Sequence, residues 1–587
     1  MVSRPAVIVV ARSSLPLART IANHLDGDVM EGADALVSAF LAHRPVVALC
    51  AAGIVIRKLA SHLGRKAEDP PVIAVAENGS VAVPLLGGHH GANALARIIA
   101  GLLGGTAAIT TASDARFGIA LDDPPPGWSL ANPEHHKSFA MALLDGASVR
   151  LIGHAPWLAT LPHDPRGFLS IRITEEIAAG SDDELVFVPR TLAVGVGCER
   201  GTAPEELIRL VTETLAARNL SLAAVAGVFS LDLKADEAAV TALGRALDAP
   251  VRFFSTEELS AESARLMNPS EVVMREIGIA GVAEAAALAA AGPEASLVIA
   301  KTRSARATLA VGRAETPLIE LPGRARGRLS VVGLGPGAPT LRSPAAVAAL
   351  VQATDWIGYG PYLDLAADLA GGQTQHRYPI GAEADRVHHA IRLASEGRDV
   401  CLLCSGDSAI YGMASLAAEM LDPASSIAVE PAWRRIELEV VPGISAFQAA
   451  SAAAGALIGH DFCSISLSDL MTPWSDIESR IRAAAAGDFV TALYNPRSLR
   501  RRDQLDRAIA ILREHRTAAT PVLTAANLGR GGERVSIAPL SEFDSESIDM
   551  LTIVIVGSRQ SRIYQRGDGR IIAYTPRGYA TSREKRT

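Results

Sequence analysis

Residues 329–337 read Leu-Ser-Val-Val-Gly-Leu-Gly-Pro-Gly, an apolar run that breaks into glycines. Such a run predicts a buried strand entering a tight turn. A helix is expected next, with Ser343 as N-cap and Pro344 at the first helical position. Strand, glycine turn and helix are the unit of a mainly parallel α/β sheet. The turn fails as a dinucleotide fingerprint. No third glycine stands at the GxGxxG spacing, and Pro336 lacks the backbone N–H that a phosphate would use. No acidic residue ends a clear second strand about 20 residues on, Asp355 being the nearest. A nicotinamide oxidoreductase would rest on this loop alone; a nucleotide-type ligand without a pyrophosphate fits it better.

Downstream, other unusual segments recur where strands should end. Residues 355–364 (DWIGYGPYLD) pack rings and glycines into a loop-like stretch. SGDSAIYGM at 405–413 and VPGISA at 441–446 each follow a strand and lead into a helix. YNPR at 494–497 and NLGR at 527–530 follow further strands. Each lies at the edge where α/β sheets place ligands. Singly, any of them reads as turn chemistry; five in order do not.

The order GLGPG, GYGPYLDL, SGDSAIYGM, VPGISAFQ, LYNPRS, NLGR resembles the tetrapyrrole methylases that use S-adenosyl-L-methionine. The resemblance covers about 329–575. It implies two α/β lobes, 329–445 and 446–576, with the cofactor between them, and it allows a homodimer. Carried over by motif, Pro336, Ser405, Gly406, Asp407, Ile410, Ser445, Ala446, Asn495 and Asn527 (or Leu528) line the cofactor. An acidic side chain such as Asp407 suits ribose hydroxyls or an ammonium group. The GYGPYLDL and YNPRS elements further imply methylation at C17 of a precorrin, with contraction of the macrocycle. Contraction needs a base and an acid or cation. Candidates are Asp364, Tyr362, Tyr411 and Arg497, and the residues alone do not choose between them. Both tyrosines could simply pack, and Arg497 suits a substrate carboxylate.

The first half carries a second set. GIVIR at 53–57, DPPV at 69–72, LLGGHHGAN at 85–93 and ITTASD at 109–114 are followed by VGVGCERG at 194–201, SLDLKADE at 230–237, NPSEVV at 268–273 and VAEAA at 282–286. In that order they resemble the cobalt-precorrin-5A hydrolases over about 1–315, weakly within 119–188. The common GHxGGAN pattern is here GHHGAN, one residue shorter. The resemblance implies hydrolysis of a corrinoid δ-lactone with release of acetaldehyde. His89 or His90 could act as the base, since histidine titrates near neutrality. Lys234 and Arg200 could bind substrate carboxylates, while Asp232 and Glu237 orient Lys234 or are simply solvated. The alternative is a non-catalytic corrinoid-binding or channelling module in front of a methyltransferase.

Composition bounds these readings. The chain has 587 residues, 49% hydrophobic, 20% charged and 4% aromatic, with a net charge of -7. That is globular and poor in stacking rings, and it lacks the basic field that nucleic acid would favour. No run of 18 apolar residues lacks a charge or proline, so no membrane span is expected. Five cysteines form an odd, sparse set that fits a reducing cytoplasm, with no disulfide framework. Cys401 and Cys404 form a CxxC on a strand, where i and i+3 face opposite sides. No resident metal is expected.

Strands are expected at 46–50, 107–111, 192–196, 297–300, 329–332, 400–404, 437–441, 489–493 and 551–556. Helices are expected at 92–103, 204–217, 283–291, 344–353 and 505–514. The proline-rich DDPPPGW and the linker LPGRARGR at 321–328 divide the chain. The expected segments are 1–118, 119–188 and 189–320 before the linker, then the two lobes, then a basic tail at 577–587.

Overall fold

The computed structural model describes residues 4–64, 69–110, 116–498 and 501–579, with backbone alone at 89 and 90. The chain divides into two compact units. One holds Met1–Arg328 with Arg392–Arg398 and Glu430–Glu437; the other holds Leu329–Ile391, Asp399–Val429 and Leu438–Thr587.

The first unit contains three sheets. In the six-stranded sheet, Ala6–Val9 lies parallel between Asp28–Glu31 and Val46–Leu49, and Val72–Val75 continues the parallel set. Ala6–Val9, Val46–Leu49 and Val72–Val75 are wholly apolar and buried, as sheets covered on both faces require. Val81–Leu86 joins antiparallel, and a two-residue strand, Thr106–Ala107, stands at the start of the strand expected at 107–111, whose residue 111 lies outside the described residues. The second sheet has four strands ordered Trp128–Leu130, Glu184–Pro189, Leu169–Ile173, Val149–Ile152. In the third, Leu192–Cys198, Val225–Leu231 and Val251–Phe254 run parallel, and the hairpin Ser296–Arg303, Ala307–Arg313 packs antiparallel on the first of these. The helix Ala283–Ala291 lies against this sheet. Gly195 and Gly312 face it, where a Cβ would fall on or within 2.6 Å of helix backbone.

The second unit contains a five-stranded sheet ordered Thr374–Tyr378, Asp355–Tyr359, Asp399–Cys404, Arg328–Gly333, Glu437–Val441. A second five-stranded sheet is ordered Phe462–Ser466, Val490–Tyr494, Thr552–Val556, Pro521–Ala526, Arg534–Pro539, and only its first pair is parallel. A small three-stranded sheet completes the unit.

Two expectations are corrected. The loop-like stretch 355–364 is the strand Asp355–Tyr359 followed by the short helix Gly360–Leu365. Pro361 sits in the helix's first turn, where its missing N–H costs nothing, and Trp356 is fully buried with its indole N–H on Leu350 O at 2.9 Å. The 321–328 segment is less exposed than its composition suggests. Gly327 is buried, and Arg324 exchanges backbone hydrogen bonds with Phe253 at 2.8 and 2.9 Å. No helix among the described residues is long and apolar enough to cross a membrane.

Candidate active site

Three strands of the second unit deliver three loops to one point. Arg328–Gly333 leads into the GLGPG turn, Asp399–Cys404 into Ser405–Gly406, and Glu437–Val441 into Pro442–Ser445. Gly335 and Gly406 exchange backbone hydrogen bonds at 3.0 and 2.8 Å. A Cβ at Gly333 would lie 2.7 Å from Gly443 N and 2.8 Å from Gly406 O, and one at Gly443 would fall on Gly406 O. Gly406 has φ +71, which a side chain would strain. The loops therefore meet backbone to backbone.

Asp407 holds this junction. One carboxylate oxygen accepts the N–H groups of Ala409 at 2.8 Å and Ile410 at 3.1 Å, and the other accepts Gly443 N–H at 3.0 Å. Beside it the buried Ser408 donates to Val441 O at 3.0 Å. The carboxylate expected to face ribose or ammonium already accepts three backbone donors.

The second lobe of the unit adds the remaining expected residues. Ser445 N-caps the helix Ala446–Ala454, its N–H and hydroxyl both donating to Gln448 Oε1 at 3.0 and 2.9 Å. Ile410 and Ala446 pack on the core formed by Phe447, Leu523 and Ile555. Asn495 and Asn527 both take positive φ, +50 and +53. Asn495 donates to Ser466 Oγ at 3.0 Å, and Asn527 accepts Arg530 N–H at 2.9 Å through its carbonyl.

Sequence reasoning missed the residue that ties these parts together. Arg530 donates from Nε to Pro336 O at 2.8 Å and from Nη2 to Ser405 Oγ at 2.7 Å. The available signal was its being the one charged residue of NLGR.

The ring-contraction candidates separate. Tyr362 is largely buried, edge-on to Tyr359 with ring centroids 5.3 Å apart. Burial pushes its phenol above the ordinary range, with Arg530 opposing this. Tyr411 has φ +54, stacks at a tilt 5.0 Å from Tyr494 and donates to Ser464 O at 2.9 Å. Asp364 is exposed and paired with Arg377 at 2.8 Å, outside the cluster around Arg530. Arg497 donates to Ser545 O and pairs with Glu546 at 2.7 Å, so a substrate carboxylate would have to displace Glu546.

The donor set fits S-adenosylmethionine. A phosphate would need free N–H groups at a helix start, yet here Ser343 Oγ caps the helix Pro344–Gln352 from Ala346 N–H at 3.1 Å. What the glycine junction offers is carbonyl and hydroxyl acceptors with close backbone, suited to ribose hydroxyls and an ammonium group.

In the first unit, Gly88–Ala92 forms a single π-helical turn leading into the helix Asn93–Leu103. The side chains of His89 and His90 and residues 111–114 of ITTASD lie outside the described residues. Arg200 is engaged with Asp236, with Glu237 at 3.3 Å and with Leu233 O at 2.6 Å. Asp232 pairs with Arg324 at 2.6 Å, so it does not orient Lys234. The buried Glu284, which sequence reasoning quoted only within VAEAA, accepts four hydrogen bonds of 2.8–2.9 Å from Met267, Asn268 (twice) and Lys301.

Residues 328–544 match the Tetrapyrrole (Corrin/Porphyrin) Methylases, residues 34–114 the Cobalamin synthesis G N-terminal family and residues 192–312 the Cobalamin synthesis G C-terminus family. The chain is similar to a precorrin-3B C(17)-methyltransferase of Sinorhizobium sp, 40% identical over 254 residues, 43% of this chain and 98% of that protein. It is 40% identical to a probable cobalt-factor III C(17)-methyltransferase of Salmonella typhimurium over 251 residues, 43% of this chain and 99% of that one. A crystal structure of CobE, a protein from the cobalamin (vitamin B12) biosynthetic pathway, is 40% identical, covering 22% of this chain and 92% of that chain with a TM-score of 0.21.

Proposed function

The chain belongs to the precorrin-3B C(17)-methyltransferases of the tetrapyrrole methylase family, and from that premise we propose how its residues divide the reaction. The enzyme uses S-adenosylmethionine to methylate C17 of a tetrapyrrole in cobalamin biosynthesis. The bound cofactor supplies an already activated methyl carbon, so positioning and exclusion of water carry most of the rate. Pro336, Ser405 and Gly406 present acceptors and close backbone to it. Ser445, Ala446, Asn495 and Asn527 close the pocket from the second lobe, and Asp407 keeps the loops in register.

The observation that carries this reading is the reach of Arg530 from the second lobe onto Pro336 O and Ser405 Oγ. It fixes the first lobe's cofactor loops relative to the NLGR turn. Ring contraction needs a proton donor to the leaving oxygen. Tyr362 carries a phenolic proton for that part, although burial makes it a weaker acid than a free tyrosine.

Residues 34–114 and 192–312 support a lactone hydrolase in the first unit, with His89 or His90 as base. A homodimer in the cytoplasm completes the reading.

Anaerobic incubation with S-adenosylmethionine and either the metal-free or the cobalt-bound precorrin tests it. A methylated, ring-contracted product, identified by mass and metal content, is expected; its absence with both substrates overturns the reading. Tyr362→Phe is expected to release a methylated product that is not contracted. Acetaldehyde release tests the hydrolase, and light scattering tests the dimer.

A further inference from the structure

The first unit contains a cavity of about 750 Å³ at the C-terminal ends of the parallel strands Leu192–Cys198 and Val225–Leu231. The helices Glu271–Ile277 and Ala283–Ala291 and the hairpin turn at 303–308 complete its wall. This volume is in the range of a small-molecule site, and open α/β sheets bind ligands at this edge.

Its charges are unbalanced. Five lining residues are Lys or Arg and three are Glu. Two of the glutamates are already occupied: Glu199 pairs with Arg306 at 2.9 Å, and Glu284 has both oxygens filled by four donors. Arg200 is held by Asp236 and Glu237. Lys234, Lys301 and Arg303 remain, none with an ion-pair partner among the described residues. Set against Glu276, the one glutamate left, these three cations still focus a net positive field into the cavity. The rest of the lining includes Leu231, Leu233, Val272, Ile277 and Val282, an apolar surface beside those cations. The protein as a whole carries -7, so this concentration of positive charge runs against the overall sign.

Glu284 makes the site rigid. It sits in the first turn of Ala283–Ala291, where a carboxylate is favoured. Through the backbone of Met267, Asn268 and Lys301 it pins two separate segments of the wall to that helix.

We infer that this cavity binds an apolar macrocycle fringed with carboxylates, held by Lys234, Lys301 and Arg303. The inference deepens the lactone-hydrolase reading of the first unit, on which it rests: the substrate's side-chain carboxylates meet the cations while its ring covers the apolar wall.

Cys198 lines the cavity and reports on it. The full chain is alkylated with iodoacetamide, with and without cobyrinic acid, a stable corrin heptacarboxylate, and each cysteine is followed by peptide mass spectrometry. Ligand is expected to slow labelling of Cys198 at least fivefold and to leave Cys463 unchanged. The Lys234→Glu/Lys301→Glu/Arg303→Glu chain loses that protection, and Arg303→Glu alone, at an exposed position, reduces it. Equal labelling of Cys198 with and without ligand in the wild type overturns the cavity site. Acetaldehyde release from the ring-contracted lactone separates the two readings. Wild-type release from the triple variant removes the cavity and leaves the hydrolase standing. Protection of Cys198 with no release by the wild type removes the hydrolase and leaves the cavity as a binding site.

Discussion

Arg530 donates its Nε hydrogen to the carbonyl oxygen of Pro336 at 2.8 Å, joining a turn after one sheet's strand to the glycine loop that ends another's. Its second bond, to Ser405 Oγ, makes the guanidinium a two-point clamp. Hydrogen bonds to a charged group are worth roughly 1.5–3 kcal/mol each. If the worth of one such bond reaches the cofactor site, Arg530→Ala should lower kcat/KM for S-adenosylmethionine about 10- to 150-fold. Arg530→Lys should recover little, because an ammonium is a point charge and cannot reproduce the planar fork. Steady-state kinetics at varied cofactor concentration check both variants.

Asp407 predicts a graded series. If its carboxylate orders the loop through Ala409, Ile410 and Gly443, then Asp407→Asn keeps one acceptor oxygen and Asp407→Ala keeps none. Cofactor affinity measured by calorimetry should fall in the order wild type, Asn, Ala, and the melting temperature should fall with it. Weaker affinity at an unchanged melting temperature would instead indicate direct contact with the cofactor.

The junction of the glycine loops was legible in part. GLGPG, SGD and VPGIS each read as a strand end, and the failure of the phosphate fingerprint followed from Pro336 and the missing third glycine. Their mutual packing was not legible. It depends on Gly333, Gly406 and Gly443, spread over more than a hundred residues of sequence, meeting backbone to backbone. Arg530 is not legible in the sequence, because a lone arginine in a turn reads as solvated. Asp364 and Arg497 each have a partner that the sequence does not announce. Their chemistry suited the reaction, but Arg377 and Glu546 stand nearer. In the first unit, VAEAA looked like an ordinary helix start, since four donors from two distant segments converge on Glu284 only in the fold. The strand 355–359 was misread because tyrosines and glycines together imitate a loop, although a fully buried Trp356 anchors it.

Gly443→Ala tests that packing. The added methyl would fall on Gly406 O and stand 2.7 Å from Gly333 O, and both are backbone atoms that cannot rotate away. Overpacking of this kind costs typically 1–3 kcal/mol. Denaturant unfolding should show a loss of that size or more, with cofactor binding lost in parallel. Gly531→Ala, where nothing lies within 4 Å, is the control and should leave both unchanged.

Cys404 gives an alkaline signature. Burial pushes its thiol up to about 11 from 9.0. In the folded state it stays protonated while the unfolded chain ionises, so stability is unaffected below about pH 9 and falls between pH 9 and 11. A shift of that size corresponds to at most roughly 3 kcal/mol. The pH profile of unfolding for Cys404→Ala, compared with wild type, should lack that component. At pH 7.5 native Cys404 should not react with a disulfide reagent, since the thiolate is the nucleophile.

Glu284 gives an acid signature of opposite sign. Burial disfavours its charge, yet the hydrogen bonds from Asn268, Lys301 and Met267 more than offset this and hold its carboxyl below the usual glutamate range. A folded pKa below the unfolded one means the stabilisation is present at neutral pH and is lost as pH falls through the folded value. Glu284→Gln replaces one acceptor oxygen by an NH2 that faces existing donors, leaving them unsatisfied at a cost of roughly 2–3 kcal/mol. The variant has no charge to titrate. The stability gap between it and wild type should therefore be widest at neutral pH and should narrow in acid. Denaturant unfolding at stepped pH checks this. A gap constant across the range would mean that the neutral and ionised carboxyl serve the wall of the cavity equally, and that the charge at the start of Ala283–Ala291 is incidental.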